Sequence, residues 1–342
     1  MITLEDIAEQ LGVSHSTVSR ALAGSSLVNK ATAERIRAVA REQGYQVNQL
    51  ARNLKTQSTK TIGLIVPEVS NPFFPRLIQG IADKLKFNEY SLQLQLSGAT
   101  QADEEQALLA LASNRVDGIL LVTGERGLVA SDRIASLTSS GVPIVLMGWV
   151  ENSPNVDIVT GDDCAGGRAI AEHLADLGHQ RIAMIAKPPH RGEFDRVNGF
   201  IAGLADRGIQ LNGDMIEYVQ ESSEIDAAVR RLTSKDVPPT AIFAYQDSIA
   251  LEVSRCLAKQ GVSIPAEMSL VGFDDLDLAS VMEPGLTTVG GHIEPLTSEL
   301  VDLLLKRIKQ AERSQPETIV ITPELIVRGT TSAPLHTPDQ TI

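Results

Sequence analysis

A short polar and basic segment near the amino terminus carries side chains whose chemistry suits the recognition of DNA bases. His15, Ser16 and Arg20 point outward on a predicted helix whose other side is apolar. An arginine can donate two parallel hydrogen bonds to guanine, which discriminates against other bases by about 1 to 3 kcal/mol. His15 and Ser16 open the helix, where side chains reach base edges. We therefore expect these residues to recognise DNA, with an ordinary solvent-exposed helix surface as the alternative.

Three short helices, with no strand between them, are predicted to position these side chains. Thr3 can cap a first helix that ends at Gly12, Ser14 can cap a second, and Asn29 can cap a third that ends at Gly44. Two helices joined by a short turn containing glycine predict a helix-turn-helix unit, whose second helix enters the major groove. An unspecialised three-helix bundle is the alternative.

The charge of the chain is divided between a basic head and an acidic body. The whole chain has 30 Lys and Arg, 43 Asp and Glu and a net charge of −13. Between residues 14 and 60, however, eight Lys or Arg are opposed only by Glu34 and Glu42. The acidic total therefore conceals a segment suited to binding a polyanion.

From residue 61 onward, short β-rich apolar runs alternate with helical stretches. This alternation predicts a parallel sheet covered by helices on both faces. Roughly 270 residues of such units exceed one typical domain, so we expect two α/β lobes. Their ligand cleft should lie between them at the carboxyl ends of the strands. The predicted strands are 61–66, 91–96, 118–122, 143–147, 181–186, 241–244 and 269–273.

The polar segment 47–60 joins the head to the body and is too short to be a stable helix in isolation. Within it, Leu54 beside Lys55 suits an apolar wedge that unstacks a base step while the lysine binds phosphate. A linker leucine packed on the body is the alternative. The last segment, 331–342, lacks apolar periodicity, and we expect it to be disordered.

Motifs typical of enzymes, cofactor sites and membrane segments are absent from the sequence. It has no G-x-G-x-x-G after the first strand, no P-loop, no nucleophile elbow and no H-E-x-x-H. Cys164 and Cys256 are too few for a disulfide framework or a Cys-based zinc site. We therefore expect a cytoplasmic protein with no cofactor, metal or membrane contact. An α/β enzyme acting on a carbohydrate stays as an alternative on its fold alone.

Taken together, these segments resemble the lactose/purine-repressor (LacI/GalR) family of bacterial transcription regulators along essentially the whole chain. Residues 3–8 and 12–22 are similar to the family's helix-turn-helix, and 44–54 to its hinge helix. The similar segments of the body follow in the family's order at 116–119, 177–183, 196–200, 271–275 and 284–289.

The resemblance implies an all-α helix-turn-helix head and an α/β, periplasmic-binding-protein-like body of two lobes with parallel sheets. It also implies a homodimer that binds a palindromic operator in double-stranded DNA, with hinge helices in the minor groove. The expected domains are a head (1–46), a hinge and linker (47–60), a body (61–330) and a tail (331–342). Within the body, the N-lobe takes about 61–160 and 291–318, and the C-lobe about 161–290 and 319–330. The residues expected to bind DNA are Thr3, Ser14, His15, Ser16, Thr17, Ser19, Arg20, Asn29, Leu50, Ala51, Asn53, Leu54 and Lys55.

The resemblance further implies a small effector, bound by residues that follow the strands. Arg196 matches an arginine that binds hydroxyl or carboxylate oxygens, and Asp274 matches an acid that accepts hydrogen bonds. If His190 and Arg191 also face the ligand, a sugar acid or phosphosugar is favoured; if only Arg196 does, a neutral sugar suffices. The alternative role for the aromatic residues is core packing. The alternative role for Arg196 is a buried salt bridge. The expected effector residues are Ser70, Asn71, Phe73, Phe74, Trp149, His190, Arg191, Arg196, Gln246, Asp247 and Asp274.

Three departures from the family pattern affect these expectations. Gly290 and Gly291 replace a larger polar residue that reaches the ligand, so we expect that contact to be missing. Gln46-Val47 replaces a basic-Pro pair, which makes the hinge entry less rigid. The tail lacks leucine heptads, which favours a dimer over a tetramer. We hypothesise repression relieved by a sugar-derived inducer; a sugar-binding sensor without DNA binding is the alternative.

Overall fold

The computed structural model describes residues 2–22, 24–45, 58–98, 100–123, 131–148, 156–187, 194–310 and 315–335. They fall into two compact units, Met1–Thr59 and Lys60–Ile342. Across these ranges, no helix combines the length and apolar character needed to cross a membrane. The first unit holds the helices of the head, and the second holds the sheets of the body.

The head is a three-helix unit of α1 (Leu4–Leu11), α2 (His15–Leu22) and α3 (Lys30–Glu42). The Thr3 hydroxyl accepts a hydrogen bond from the backbone N–H of Asp6, and the Asp6 carboxylate accepts one from the Thr3 N–H, so α1 starts with a capping box. Gly12 ends α1 with a φ of 63°, the left-handed conformation that favours glycine. The three helices pack around the fully buried side chains of Ile7, Val18 and Ile36. The predicted helix-turn-helix head is confirmed.

The body alternates strands and helices, as the sequence predicts. In chain order its elements are β1 (Thr61–Val66), α4 (Phe73–Phe87), β2 (Ser91–Leu96), α5 (Gln101–Ser113), β3 (Gly118–Val122), α6 (Ser131–Ser139), β4 (Ile144–Met147), β5 (Asp157–Gly161), α7 (Asp163–Asp176), β6 (Ile182–Ala186), α8 (Phe194–Asp206), β7 (Ile216–Tyr218), α9 (Ile225–Thr233), β8 (Ala241–Ala244), α10 (Asp247–Lys259), β9 (Ser269–Val271), α11 (Asp277–Val281), β10 (Thr288–Gly290), α12 (Ile293–Lys309), β11 (Thr318–Ile321) and β12 (Glu324–Ile326).

The N-lobe is built on a parallel six-stranded sheet in the order β11-β5-β4-β3-β1-β2. Successive side chains of a strand point to opposite faces, and β1 shows this directly. Leu64 packs in one hydrophobic core with residues of α4 and α12, whereas Ile65 packs in another with residues of α5 and α6. Helices therefore cover both faces of the sheet, as expected for parallel strands.

The C-lobe is built on a parallel four-stranded sheet in the order β7-β6-β8-β9. Its core includes Phe200 of α8 and Phe243 of β8, whose ring centroids lie 4.8 Å apart. A separate antiparallel pair, β10 with β12, follows in the chain. The prediction of an α/β body with parallel sheets is confirmed.

Two predicted boundaries in the body are wrong. Residues 319–321 were expected in the C-lobe, but β11 pairs with β5 and is the edge strand of the N-lobe sheet. Residues 331–335 were expected to be disordered, but Thr331 and Ser332 lie 3.0 Å from ring nitrogens of His173 and His179. These contacts are polar, so apolar periodicity gives no sign of them. Residues 336–342 lie outside the described ranges.

Helices α7 and α8 approach so closely that glycine is required at their contact. A Cβ added to Gly199 would lie 2.0 Å from the backbone oxygen of Cys164, and one added to Gly167 would lie 2.0 Å from the backbone oxygen of Arg196. Backbone atoms of a packed helix cannot move aside as a side-chain tip can. These glycines therefore fix the distance of α8, which carries Arg196, from α7.

We predict that Gly199→Ala lowers the melting temperature of the protein, because the overpacked contact costs about 1 to 3 kcal/mol. The helix propensity of alanine offsets up to about 1 kcal/mol of this. Thermal denaturation followed by circular dichroism measures the change. Gly213→Ala is the control, since a Cβ there meets no atom within 4 Å. Equal melting temperatures for the two variants would contradict the tight contact.

Candidate DNA-recognition surface and ligand cleft

The exposed side of α2 carries the residues expected to recognise DNA bases. The Ser14 hydroxyl accepts a hydrogen bond from the Thr17 backbone N–H at 3.2 Å and fixes the start of the helix. His15, Ser16 and Arg20 are exposed on one side of α2. Their exposure leaves them accessible to a ligand, as base recognition requires.

The other DNA-binding candidates of the head have structural contacts of their own. The Thr17 hydroxyl lies 2.8 Å from that of Ser14, and Ser19 is half-buried. Thr3 caps α1, and the side-chain oxygen of Asn29 accepts from the Ala31 N–H at 2.9 Å to cap α3. Their contacts with DNA stay predictions. The hinge candidates lie outside the described residues: Leu50, Ala51, Asn53, Leu54 and Lys55.

In the body, the predicted effector residues Arg196 and Asp274 meet in a buried cluster at the ends of strands. Arg196 Nη1 donates to the backbone oxygen of Tyr245 at 2.7 Å. Its Nη2 donates to Asp163 Oδ2 at 2.9 Å and lies 3.4 Å from Asp274 Oδ1. The guanidinium carbon is 3.4 Å from the ring centroid of Phe273, a cation–π contact. The salt bridge expected as an alternative for Arg196 is thus present within the expected cleft.

The opposite charges of Arg196 and the neighbouring acids shift one another's pKa values. Burial lowers the pKa of Arg196, but the negative charge of Asp163 and the neighbouring Tyr245 and Asp274 hold it above the ordinary value. Burial raises the pKa of Asp274 to about 7, although the positive charge of Arg196 opposes this shift. Arg196 therefore stays charged, while Asp274 titrates near neutral pH.

Asp247 lies beside this cluster and holds the loop that contains Asp274. Its Oδ1 accepts from the Thr288 hydroxyl at 2.6 Å, and its Oδ2 accepts from the Leu276 N–H at 2.7 Å. Burial raises the pKa of Asp247 to about 7, and the charge of Asp274 adds to the shift. Because both of its oxygens have protein partners, we interpret Asp247 as a positioning residue of the cleft.

His292 belongs to the cleft and is not among the residues predicted to do so. The residue is 3% exposed, and the centroid of its ring lies 6.4 Å from that of Phe73 and 6.4 Å from that of Phe273. Burial lowers the pKa of the ring, although the charge of Asp163 opposes this shift. The sequence signal was indirect: His292 directly follows Gly290 and Gly291, where the family pattern is interrupted. Asp163 was also missed, because it reads as an ordinary acid of a first helical turn.

The loop after β1 contributes one aromatic ring to the cleft. Phe73 stacks on His292, and both Phe73 and Phe74 pack against the N-lobe core. The side-chain oxygen of Asn71 accepts from the Phe73 N–H at 3.0 Å, and the Ser70 hydroxyl contacts Glu68. The buried Gln246 accepts from the Ser248 hydroxyl at 3.2 Å. Trp149, His190 and Arg191 lie outside the described residues.

A side-chain contact of Arg76 also joins the two lobes next to the cleft. Arg76 of α4 donates from Nη1 to the backbone oxygen of Asp275 at 2.6 Å and from Nη2 to Glu294 at 3.0 Å. Asp274 and Asp275 have φ angles of 103° and 48°, which are unfavourable for residues other than glycine. A Cβ added to Gly290 would lie 2.1 Å from that of Asp275, so glycine is needed where the family carries a larger residue.

The buried acids predict a specific pH dependence of stability. Because the pKa of Asp247 is raised in the folded state, the folded protein binds more protons than the unfolded protein between about pH 4 and 7. The folded state of the wild type therefore loses stability as the pH rises through this range. In Asp247→Asn the amide oxygen can accept from the Leu276 N–H, the amide nitrogen can donate to the Thr288 hydroxyl oxygen, and the group does not titrate. The variant should therefore gain melting temperature relative to wild type from pH 4 to 7, with no further gain above pH 8.

Arg196, Asp163, Asp275 and His292 face this acid in both proteins. The titration of Asp274 also changes in the variant, because removing the Asp247 charge lowers the pKa of Asp274, and this acts in the same direction on the melting temperature. A difference in melting temperature that does not vary with pH would contradict the raised pKa of Asp247.

Comparison with known proteins agrees with this architecture. Residues 3–48 match the lacI family of bacterial regulatory proteins, and residues 171–331 match the periplasmic binding protein-like domain. The chain is 30% identical to the HTH-type transcriptional repressor PurR of Photobacterium profundum, covering 96% of this chain and 98% of that protein. It is 31% identical, with the same coverage, to the ribose operon repressor of Haemophilus influenzae.

A solved structure has the same fold over its whole length. The lac repressor dimer bound to operator and the anti-inducer ONPF superposes with a TM-score of 0.85 at 26% identity, over 97% of this chain and 99% of that one. The similar proteins named here are all repressors. The chain belongs to the LacI family of DNA-binding transcriptional repressors, with a helix-turn-helix head and a periplasmic-binding-protein-like body.

Proposed function

We propose that the protein is a homodimeric repressor of carbohydrate-metabolism genes whose affinity for a palindromic operator is controlled by a small sugar-type effector. The observation that carries this proposal is the buried cluster of Arg196, Asp163 and Asp274 where the two lobes meet. Buried charges with hydrogen-bonding capacity at strand ends are typical of a ligand site. The effector would act in the body, and the head would bind the operator.

An exposed apolar patch on the C-lobe supports the homodimer. Leu278 and Val281 are three residues apart on α11 and lie on one face of it, and Val281 is 74% exposed. Leu251 is exposed on the neighbouring helix α10. Grouped apolar side chains on a surface are typical of an interface. A second copy of the chain is the occupant we propose, because an isologous interface brings two heads together on one palindrome.

Coupling between the effector and the operator would pass through the N-lobe. β1 follows the linker directly, so a shift of the N-lobe moves the point from which each hinge emerges. An effector that binds one arrangement of the lobes more tightly shifts the population toward it. The contact between Arg76 and Asp275 joins the lobes and is the described interaction most directly exposed to such a shift.

Selection of operators from random duplexes, followed by binding measurements at two salt concentrations, tests the DNA-binding part. We expect an inverted repeat and a steep loss of affinity with salt, because Lys and Arg contacts to phosphate release counterions. Selection of sites without two-fold symmetry would contradict a dimer on a palindrome.

We predict that Leu54→Ala weakens operator binding by about tenfold or more, because an apolar wedge supports the bend that brings further contacts to DNA. Affinity for effector should be unchanged. Fluorescence anisotropy with labelled operator and calorimetry with effector measure the two affinities. An equal loss of both would place Leu54 in the core of the body instead.

A further inference from the structure

Two buried side-chain atoms of the ligand cleft make no hydrogen bond of good geometry. Across the described residues these atoms are Arg196 Nε and His292 Nδ1, although the Gly290 backbone interacts with the His292 ring. Both side chains interact with Asp163 and with the ring of Phe273. A buried polar atom without a partner destabilises a protein unless something else binds it. Their presence in one cleft points to a ligand that supplies the missing hydrogen bonds.

The chemistry of the His292 ring narrows the kind of group that it can bind. Burial keeps the ring neutral at neutral pH, so one nitrogen donates and the other accepts. A hydroxyl can donate or accept, and it therefore satisfies Nδ1 in either tautomer. A carboxylate or phosphate oxygen can only accept, so it fits only one tautomer.

The charges of the cleft disfavour an anionic ligand. Arg196 is paired with Asp163 and Asp274, Arg76 with Glu294, and Arg328 with Asp275 at 2.6 Å. Lys187 adds a further positive charge, which acts on Asp274. An anion that approached Arg196 would meet two carboxylates that already share its charge. A neutral ligand leaves these pairs intact.

The aromatic groups of the cleft suit the apolar face of a sugar ring. Phe73 of the N-lobe and Phe273 of the C-lobe both contact the ring of His292, with interplanar angles of 29° and 73° to it. Carbohydrates combine C–H faces with hydroxyl edges. A neutral polyhydroxylated ring could therefore pack on an aromatic side chain while its hydroxyl groups bind the two unpartnered atoms.

We propose that His292 is a specificity-determining residue that hydrogen-bonds a hydroxyl group of a neutral polyhydroxylated effector, and that this cleft discriminates against anionic sugars. This inference rests on the proposed function, because it concerns the effector of the same cleft. In this proposal His292 contacts the ligand next to Gly290 and Gly291, where the family has a larger polar residue.

A probe panel tests the ligand class on the full-length protein. Thermal shift followed by calorimetry compares neutral pentoses, hexoses and disaccharides with their aldonic acids, their phosphate esters and free purine bases. We expect neutral sugars to bind at least tenfold more tightly than the matching anions. Tighter binding of the anions, which His190 and Arg191 would favour, overturns the inference, as does binding of purines alone.

Variants of His292 test the residue itself. His292→Phe keeps a packed ring but removes both nitrogens, so the best neutral sugar should bind about tenfold more weakly. The melting temperature without ligand should stay the same or rise, because an unsatisfied buried atom is removed. A merely structural histidine would give the opposite pattern, with lower stability and unchanged affinity. His292→Gln, which keeps a donor and an acceptor, should recover part of the affinity, and His173→Asn is the control outside the cleft.

The outcomes separate this inference from the proposed function. Neutral sugars that bind through His292 without changing operator affinity support the inference and contradict effector control. Anionic sugars that change operator affinity support effector control and overturn the inference. If none of the probes binds, both are contradicted.

Discussion

Arg196→Ala is expected to destabilise the body by about 3 to 5 kcal/mol, the usual cost of breaking a buried ion pair. The substitution leaves the carboxylates of Asp163 and Asp274 without their cation and the backbone oxygen of Tyr245 without its donor. Effector affinity should fall by about a hundredfold, because a charged hydrogen-bonding group is lost from the cleft. Thermal denaturation and calorimetry with the best effector measure the two losses.

The defect of Arg196→Ala should be larger at pH 8 than at pH 6. Asp274 can take up a proton at the lower pH, which removes one of the uncompensated charges. Arg230→Ala is the matched control, since that arginine pairs with Asp226 on an exposed helix surface. Surface pairs contribute little, so the control should melt as wild type does. Similar losses of melting temperature in the two variants would show that the buried cluster contributes no more to stability than a surface ion pair.

Val281→Glu is expected to convert the protein to monomers and to weaken operator binding by about a hundredfold or more. Two linked heads bind one palindrome with an avidity about 10² to 10⁴ greater than that of a single head. A carboxylate in the centre of an apolar interface opposes association because its burial requires desolvation. Analytical ultracentrifugation and operator titration measure the two effects.

Val237→Glu is the control for this substitution, because Val237 is another exposed valine of the same lobe. It should leave both the oligomeric state and operator affinity unchanged. A Val281→Glu protein that stays dimeric would show that the patch on α10 and α11 is not the interface.

The sequence predicts the head well because its helix limits are set by local chemistry. Thr3, Ser14 and Asn29 cap helices through hydrogen bonds to residues two or three positions away, and Gly12 needs no tertiary partner for its left-handed conformation. Strands β1, β2, β3 and β8 are predicted equally well, since their bounds coincide with predicted β-rich runs. Strands β5, β7 and β10 to β12 are not predicted. They have three to five residues each and depend on neighbours that are distant in sequence.

Some residues of the candidate cleft are likewise predicted from the sequence, and others are not. Arg196 and Asp274 are predicted because they lie in motifs that resemble the family's, and the structure places them 3.4 Å apart. His292 and Asp163 carry no local signal, since the contacts of the ring with two phenylalanines and the pairing of Asp163 with Arg196 arise only when the lobes are folded. The role of Asp247 likewise depends on Thr288 and Leu276, which are 41 and 29 residues away.

The central claim is that effector and operator binding are coupled through the body, and thermodynamic linkage tests it most directly. Calorimetry would measure the affinity of the best effector for the free protein and for the protein saturated with operator, and anisotropy would measure operator affinity with and without effector. We predict that the two ratios are equal, with a factor of about 5 to 150. The same effector affinity in the presence and absence of operator would contradict the account.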